Sequence, residues 1–285
     1  MKKDFLICID SDGCVFDTME VKHKECFCPS FIRHFRLQAV SKYARDAWDF
    51  TNLYSATRGI HRLRALLRAL EVLRLRKEVQ LRGFTPPALP HLERYVSEGG
   101  ALSNAALEEY RRVHPECAEE FEGILAWSAD VNARIAELVF GVPPFPYVRE
   151  CLEALSSVAD IVVVSATPYE ALEREWKEHG LLRFTASVEG QESGTKKEII
   201  ASLKDRYPRG HVLMIGDAPG DREAAHTNGV LFYPICPDGE ADSWRRFGEA
   251  AELFLQGKYA GEREAEEIAR FETLLPTDPR WAKGE

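Results

Sequence analysis

Four short apolar runs stand out along the chain, at residues 5–9, 161–164, 212–215 and 230–233. Continuous apolar runs of this length indicate strands that are buried on both faces, as in parallel sheets. Helical periodicity fills the intervals after residue 146, so strands and helices alternate there. The pattern predicts an α/β fold with a Rossmann-like, doubly wound parallel sheet. A weaker run at 184–188 predicts one further, short strand.

A long stretch with helical periodicity separates the first two strands. Over residues 61–77, for example, leucines recur at spacings of three and four, which is typical of an amphipathic helix. A βαβ unit needs only about thirty residues, far fewer than lie between these strands. We therefore expect a helical domain inserted directly after the first strand. The predicted organisation is a discontinuous core of residues 1–18 and 146–240, an inserted helical domain of 19–145, and a helical C-terminal extension of 241–285.

Composition narrows the class of protein. The chain has 285 residues, with 37 Lys and Arg against 46 Asp and Glu, for a net charge of −9. A nucleic-acid-binding protein is usually basic, so this class is disfavoured. No apolar run reaches the length that spans a bilayer, and the first run is too short for a signal peptide. The seven cysteines include no CxxC pair, which favours reduced thiols and a cytoplasmic location.

Polar side chains follow three of the predicted strands. Ligands of open α/β sheets bind beyond the carboxyl ends of the strands, so we expect these side chains to share one site. Several carboxylates at one sheet edge repel one another unless a cation is present. Mg²⁺ prefers hard oxygen ligands, and such a site suits a phosphoryl group. The residues concerned are Asp10 and Asp12, Ser165 and Thr167, and Asp217 and Asp221, with Lys196 at the start of a helix.

Each of these positions also has a purely structural interpretation. Asp12 and Gly13 are typical of a turn that closes a surface hairpin. Ser165 is a residue type that often caps a following helix. Asp221 can cap its own helix or pair with a surface arginine. Lys197, rather than Lys196, is the alternative for the lysine of the site.

Taken together, the motifs resemble those of a known family. Asp10-x-Asp12-Gly13, Ser165, Lys196 and Gly216-Asp217-x-x-x-Asp221 resemble, in this order, the four motifs of the haloacid-dehalogenase-like hydrolases. Asp17-Thr18 resembles the start of a helical cap domain in the phosphoglycolate-phosphatase-like branch. The resemblance covers residues 5–18 and 146–236. The expected cap, 19–145, is longer than is usual for that branch, and the tail beyond 240 is additional.

The resemblance implies a role for each motif residue. Asp10 is expected to be the nucleophile that forms an aspartyl phosphate, and Asp12 the acid and base. Ser165 and the backbone amides of Ala166 and Ser11 are expected to bind the phosphoryl group, and Lys196 to offset negative charge. Mg²⁺ is expected on Asp10, Asp217, Asp221 and the backbone carbonyl of Asp12.

The function that the resemblance implies is a Mg²⁺-dependent phosphatase for a small phosphorylated metabolite. Dehalogenating members of the family lack the acid found here as Asp12, which favours phosphoryl transfer. A phosphotransferase or phosphomutase using the same site is one alternative. A regulatory protein that binds a phosphorylated ligand with weak turnover is another. The sequence indicates no nucleic-acid or membrane partner and leaves the oligomeric state open.

Substrate specificity is expected to come from the cap, because the core motifs contact only phosphate. Residues 52–59 are the most site-like cap segment, with polar side chains, a glycine and Arg58 just before a helix. A guanidinium offers a rigid fork for a carboxylate or phosphate. We therefore expect Arg58 to bind the distal end of the substrate, the alternative being an ordinary surface position.

Overall fold

The computed structural model describes residues 2–283, and the contacts between its residues divide the chain into two compact units. The core unit runs to Met19 and resumes from Phe140 to Leu274. The cap unit comprises Glu20–Val139 and the segment that starts at Leu275. In the described part of the chain, no helix is long and apolar enough to cross a membrane.

In the described part of the core unit, five parallel strands form a sheet. They are β1 (Phe5–Ile9), β2 (Ala159–Val164), β3 (Ser187–Glu189), β4 (Val212–Gly216) and β5 (Leu231–Pro234). Their spatial order is β3-β2-β1-β4-β5, so β1 lies at the centre. The predicted α/β class is confirmed, and the four longer strands begin and end within two residues of their predicted bounds.

The shortest strand differs from its prediction. Residues 184–188 were expected to form it, but Leu182–Phe184 make a 3-10 turn and the strand is Ser187–Glu189. Phe184 is partly buried and packs against the apolar cluster of the core unit from this turn. Its apolar character therefore reflects packing, not extended backbone.

The helices account for the remaining regular structure. A π-helical segment, Lys22–Phe27, joins α1 to α2, and short 3-10 turns occur elsewhere. Among its described residues the cap unit contains helices and turns but no strand. In chain order the helices are α1 Thr18–Val21, α2 Cys28–His34, α3 Ser41–Asn52, α4 Arg62–Arg74, α5 Lys77–Leu81, α6 Pro90–Ser97, α7 Asn104–Val113, α8 Ala118–Leu138, α9 Val148–Leu155, α10 Tyr169–Glu178, α11 Lys196–Lys204, α12 Pro219–Asn228, α13 Glu240–Leu255 and α14 Glu262–Thr273.

Both faces of the sheet are buried, which explains why its strands are continuously apolar. Successive side chains of a strand point to opposite faces. Ile7 and Ile9 accordingly belong to a cluster that includes residues of α9 and α13. Leu6 and Cys8 belong to a second cluster with residues of α11 and α12. The ends of the strands, which are followed by polar residues, are therefore where the sheet can place functional side chains.

The cap unit packs around two fully buried tryptophans. Trp48 on α3 and Trp127 on α8 have ring centroids 6.0 Å apart in an edge-to-face arrangement. Phe27 and Phe31 pack against Trp48. Because aromatic side chains bury large areas, this cluster supplies the cap unit with a hydrophobic core of its own.

The C-terminal residues divide between the two units. Helices α13 and α14 lie in the core unit, where Trp244 Nε1 donates to the carbonyl of Cys14 at 2.8 Å. The segment from Leu275 belongs to the cap unit, where Trp281 Nε1 donates to the carbonyl of Val72 at 3.1 Å. The predicted extension of 241–285 therefore contributes packing to both units through its described residues.

A buried carboxylate holds α14 within the core unit. Glu267 is fully buried, and its carboxylate lies 3.1 Å from Arg270, 3.2 Å from Arg263 and 3.8 Å from Arg246 on α13. Ionised groups are rarely buried unless they are paired in this way. Removal of Glu267 would leave Arg246 and Arg263, whose side chains are only 22% and 24% exposed, without this carboxylate as a partner.

We predict that Glu267→Ala lowers the free energy of unfolding by about 2–4 kcal/mol, because it breaks a buried ionic network. Glu266→Ala is the matched control: its carboxylate is exposed and also pairs with Arg263, and its loss should cost at most about 1 kcal/mol. Denaturant unfolding of the two variants measures both values. Equal losses of unfolding free energy in the two variants would show that burial does not increase the contribution of Glu267 to stability.

A half-buried acid, Asp49, lies in the cap unit on α3. Burial raises the pKa of Asp49 from its ordinary value of 3.8 to about 6; Lys24 opposes this shift and Glu20 reinforces it. Its Oδ1 atom is buried and accepts no hydrogen bond from the described residues. The ionised form of Asp49 is therefore disfavoured in the folded chain.

The sign of the resulting pH dependence follows from linkage. Between about pH 4 and 6 the folded chain holds a proton on Asp49 that the unfolded chain releases, so the contribution of Asp49 to the free energy of unfolding falls as pH rises. We predict that Asp49→Asn removes this slope and stabilises the chain at pH 7 by on the order of 1–3 kcal/mol. Unfolding measured at several pH values tests this, and an unchanged slope would contradict it.

Candidate functional site

The site lies at the carboxyl edge of the sheet, where three neighbouring strands end. Asp10 follows β1, Ser165 follows β2 and Asp217 follows β4. Ile9 is in register with Val163 and Ile215 on the two neighbouring strands, and the amide of Asp10 donates to the carbonyl of Ile215 at 3.0 Å. The parallel register therefore puts Asp10 between the ends of β2 and β4.

Three buried carboxylates converge at this edge. Oxygen atoms of Asp10, Asp217 and Asp221 lie within 4.8 Å of one another, and the residues are 6%, 1% and 1% exposed. Asp221 reaches the cluster because Gly216 has no side chain: a Cβ at Gly216 would lie 2.3 Å from Asp221 Oδ2. The spacing of Gly216, Asp217 and Asp221 thus has a direct steric reason.

One ammonium group lies among these carboxylates. Lys196 Nζ is 2.6 Å from Asp10 Oδ2 and 2.5 Å from Asp221 Oδ1. Lys196 is the first residue of α11, whose start is capped by Thr195 and Glu198. The alternative residue, Lys197, is exposed. The geometry therefore favours Lys196 as the lysine of the site.

Electrostatics oppose full ionisation of this cluster. Burial raises the pKa of Asp10 well above its ordinary range; Lys196 lowers it, and the charges of Asp221 and Asp217 raise it further. Burial acts against the charged form of Lys196, but Asp10 and Asp221 outweigh this and raise its pKa. Three carboxylates and one ammonium carry a net charge of −2 when ionised. This donor set fits a divalent cation with oxygen ligands.

Asp12 lies beside the cluster and is held by two threonines. The hydroxyl of Thr18 donates to Asp12 Oδ1, and that of Thr167 donates to Asp12 Oδ2 at 2.7 Å. Gly13 follows with a φ of 75°, which glycine adopts without strain. The next strand of the sheet in sequence begins only at Ala159, so the hairpin interpretation of Asp12-Gly13 is wrong.

The residues expected to bind phosphate lie next to Asp10 and at the end of β2. Ser165 is buried, and its Oγ accepts the backbone N–H of Thr167 at 3.2 Å. It does not cap α10, whose preceding residue is Pro168. Ala166 is exposed, and the amide of Ser11 donates to Asp10 Oδ1 at 2.8 Å. Phosphate binding by Ser165, Ala166 and Ser11 stays a prediction.

Asp221 both caps a helix and belongs to the carboxylate cluster. Its Oδ2 accepts the backbone N–H of Ala218 at 3.1 Å, at the start of α12, while its Oδ1 contacts Lys196. The hydrogen bond at the helix start fixes the orientation of the carboxylate. Capping therefore presents Asp221 to the cluster and does not remove it from the site.

Arg58 in the cap unit is more deeply buried than expected. It is 3% exposed, and its Nη1 donates to the carbonyl of Leu53 at 2.9 Å. Asn52 and Ser55 of the same segment are also buried, and the amide of Ala56 donates to the carbonyl of Pro276 at 3.0 Å. Residues 52–59 are thus a packed part of the cap unit. Substrate binding by Arg58 stays a prediction.

Sequence reasoning missed the two threonine contacts with Asp12. Thr167 was noted only as a polar residue after β2, and Thr18 only as the start of a cap helix. A signal for Thr167 exists in retrospect: it lies at the end of β2, the strand that neighbours β1 in the sheet. The hydrogen bonds themselves depend on side-chain rotamers, which the spacing does not specify.

Comparison with known proteins supports the fold. No family model matches the chain, and no curated protein matches it. A solved structure from Haemophilus somnus 129PT, described as a predicted phosphoglycolate phosphatase, is similar with a TM-score of 0.53 and 15% identity. The match covers 88% of this chain and 99% of that one. A haloacid dehalogenase-like hydrolase from Streptococcus pneumoniae is similar with a TM-score of 0.45 and 16% identity, over 94% and 98% of the chains.

The motifs, the sheet order and the structural match agree with one another. The motif residues follow one another in the expected order: Asp10 and Asp12 after β1, Ser165 after β2, Lys196 at the start of α11, and the pair of acids after β4. The match with the Haemophilus somnus structure spans 99% of that chain. The chain therefore shares the fold of the Haemophilus somnus structure, and its motifs follow the order expected from the predicted resemblance to the haloacid-dehalogenase-like hydrolases.

Proposed function

We propose that this chain is a Mg²⁺-dependent phosphatase that hydrolyses a small phosphorylated metabolite through an aspartyl phosphate on Asp10. The observation that carries the proposal is the position of Asp10, buried among two further carboxylates and in contact with Lys196. A carboxylate in such surroundings is suited to nucleophilic attack on phosphorus, because neighbouring cations can neutralise the charge that accumulates there.

A Mg²⁺ ion fits this donor set. Asp10, Asp217 and Asp221 would hold it, together with the backbone carbonyl of Asp12. Three ionised carboxylates and the Lys196 ammonium leave two negative charges, which a divalent cation balances. When bound, the ion offsets negative charge on the phosphoryl oxygens and on the nucleophile.

In the first step, the carboxylate of Asp10 attacks phosphorus and the bond from phosphorus to the leaving oxygen breaks. Asp12, carrying a proton, transfers it to that oxygen, so the alcohol leaves neutral. Lys196 remains beside Asp10 and offsets its charge before the attack. Ser165 and the amides of Ala166 and Ser11 hydrogen-bond the phosphoryl oxygens.

In the second step, Asp12 removes a proton from water, and the water oxygen attacks phosphorus. The bond from phosphorus to Asp10 breaks, and inorganic phosphate leaves. Asp12 has regained the proton that it gave up, and Asp10 is again a carboxylate. The two acids therefore have separate roles, one covalent and one in proton transfer.

We predict that turnover of an aryl phosphate requires a divalent cation. Exhaustive chelation should lower the rate by about two orders of magnitude or more, because charge neutralisation by a bound metal contributes several kcal/mol. Readdition of Mg²⁺ should restore the rate. Full turnover after chelation would contradict the metal site, and no turnover under either condition would favour a ligand-binding protein.

We predict that Asp10→Asn and Asp12→Asn fail at different steps. Asp10→Asn should form no phosphoenzyme. Asp12→Asn should accumulate aspartyl phosphate from an aryl phosphate, whose leaving group needs little protonation, since activation of water by a base contributes about 10²–10⁴-fold. Intact-mass measurement with and without hydroxylamine distinguishes the two variants. Phosphoenzyme in Asp10→Asn would mean that another residue is the nucleophile.

A further inference from the structure

The side chain of Asp12 is fixed from two directions. Thr18 at the start of α1 donates to one carboxylate oxygen, and Thr167 in the loop after β2 donates to the other at 2.7 Å. Rotation of an aspartate carboxyl group about χ2 is otherwise broad and roughly two-fold. Two donors on separate segments of the core unit restrict this rotation and define the plane of the carboxyl group.

Thr167 is itself rigidly placed. Its backbone N–H donates to Ser165 Oγ at 3.2 Å, and its carbonyl accepts the N–H of Gln191 at 3.1 Å. Pro168 follows and restricts the backbone of Thr167 to extended conformations. Its β-branched side chain also has few accessible rotamers. The direction of the Thr167 hydroxyl is therefore determined by the local backbone.

The packing around the Thr167 loop leaves little room for adjustment. A Cβ at Gly190 would lie 2.9 Å from the carbonyl oxygen of Thr167 and 2.6 Å from the backbone nitrogen of Tyr169. Only glycine allows the chain before α11 to approach the loop this closely. The backbone of Thr167 is thus held by its own hydrogen bonds and by the close packing of Gly190, and this places the Thr167 hydroxyl next to Asp12.

We propose that Thr167 is a positioning residue that orients Asp12 for proton transfer. The inference rests on the proposed function and adds to it a residue outside the four motifs. A misplacement of a reacting group by about 1 Å can cost about 100-fold in rate. Loss of the Thr167 hydroxyl should therefore affect only the steps in which Asp12 transfers a proton. The competing role is direct contact of Thr167 with the phosphoryl group, since it lies two residues after Ser165.

A comparison of an alkyl phosphate with an aryl phosphate distinguishes positioning of Asp12 from direct contact of Thr167 with the phosphoryl group. An alkyl phosphate needs Asp12 to protonate its leaving oxygen, whereas an aryl phosphate needs little protonation. The parameter kcat/KM reports only the steps up to phosphoryl transfer to Asp10, so a defect in Asp12 positioning should appear there for the alkyl substrate alone. The second step needs Asp12 for both substrates, so a slowed second step should leave the aryl substrate as phosphoenzyme.

The test compares Thr167→Val and Thr167→Ser in the full chain with Mg²⁺ present. For Thr167→Val, we expect kcat/KM to fall about 10–100-fold for the alkyl phosphate and by less than about 3-fold for p-nitrophenyl phosphate. Phosphoenzyme should accumulate with the aryl substrate. Thr167→Ser retains a hydroxyl and should recover most of the alkyl activity.

Thr185→Val is the matched control. The Thr185 hydroxyl donates to the carbonyl of Leu182 at 2.8 Å, before β3 and so at the opposite edge of the sheet from the site. Its replacement also converts a threonine of the core unit to valine, and it should leave both kcat/KM values unchanged. Thermal unfolding of all three variants verifies that they fold.

Several results would overturn the inference. Equal losses for both substrates with a raised KM would mean that Thr167 contacts phosphate. Unchanged kinetics in Thr167→Val would mean that Thr167 does not position Asp12. Equal losses of activity in Thr167→Ser and Thr167→Val, with reduced thermal stability in both, would mean the same. Each of these results leaves the phosphatase proposal intact if the wild-type chain is active. A wild-type chain that hydrolyses neither substrate would contradict the proposed function, and with it the inference.

Discussion

The main physical constraint on the site is the mutual repulsion among three buried carboxylates at one edge of the sheet. Asp10 follows the central strand β1, and Asp217 and Asp221 follow its neighbour β4. Gly216 admits Asp221 into contact range, and Lys196 compensates part of the charge from the first residue of a helix. Burying acids so close together costs free energy, and this cost supports the proposal that the cluster holds a divalent cation.

The features that could be predicted from the sequence are those with a local signature. Buried parallel strands are continuously apolar, so β1, β2, β4 and β5 were identifiable, and the topology of parallel sheets then brings Asp10 and Asp217 to one edge. Lys196 was predicted at the start of a helix with Lys197 as the alternative, and its contacts with Asp10 and Asp221 now favour it. The helical pattern likewise predicts a helix over Asn104–Val113, capped by Ser103 or Asn104, and α7 has these bounds with Ser103 as its cap.

The features that could not be predicted depend on packing between distant segments. The apolar Phe184 gave a false strand signal because it packs from a turn, and the π-helical segment Lys22–Phe27 has no distinct apolar period. The division of the C-terminal residues depends on where Trp244 and Trp281 find hydrogen-bond partners, which is a property of the folded chain. The bond from Thr167 to Asp12 likewise joins residues that are 155 positions apart in sequence.

The most direct test of the account is the identity of the residue that carries the phosphoryl group. Borohydride reduces an aspartyl phosphate to homoserine, which peptide mass spectrometry locates in the sequence. With Mg²⁺ and an aryl phosphate, rapid quenching and reduction of the wild-type chain should convert position 10 and leave position 12 as aspartate. Homoserine at position 12 or elsewhere, or turnover without any reducible intermediate, would contradict the assignment of Asp10 as the nucleophile.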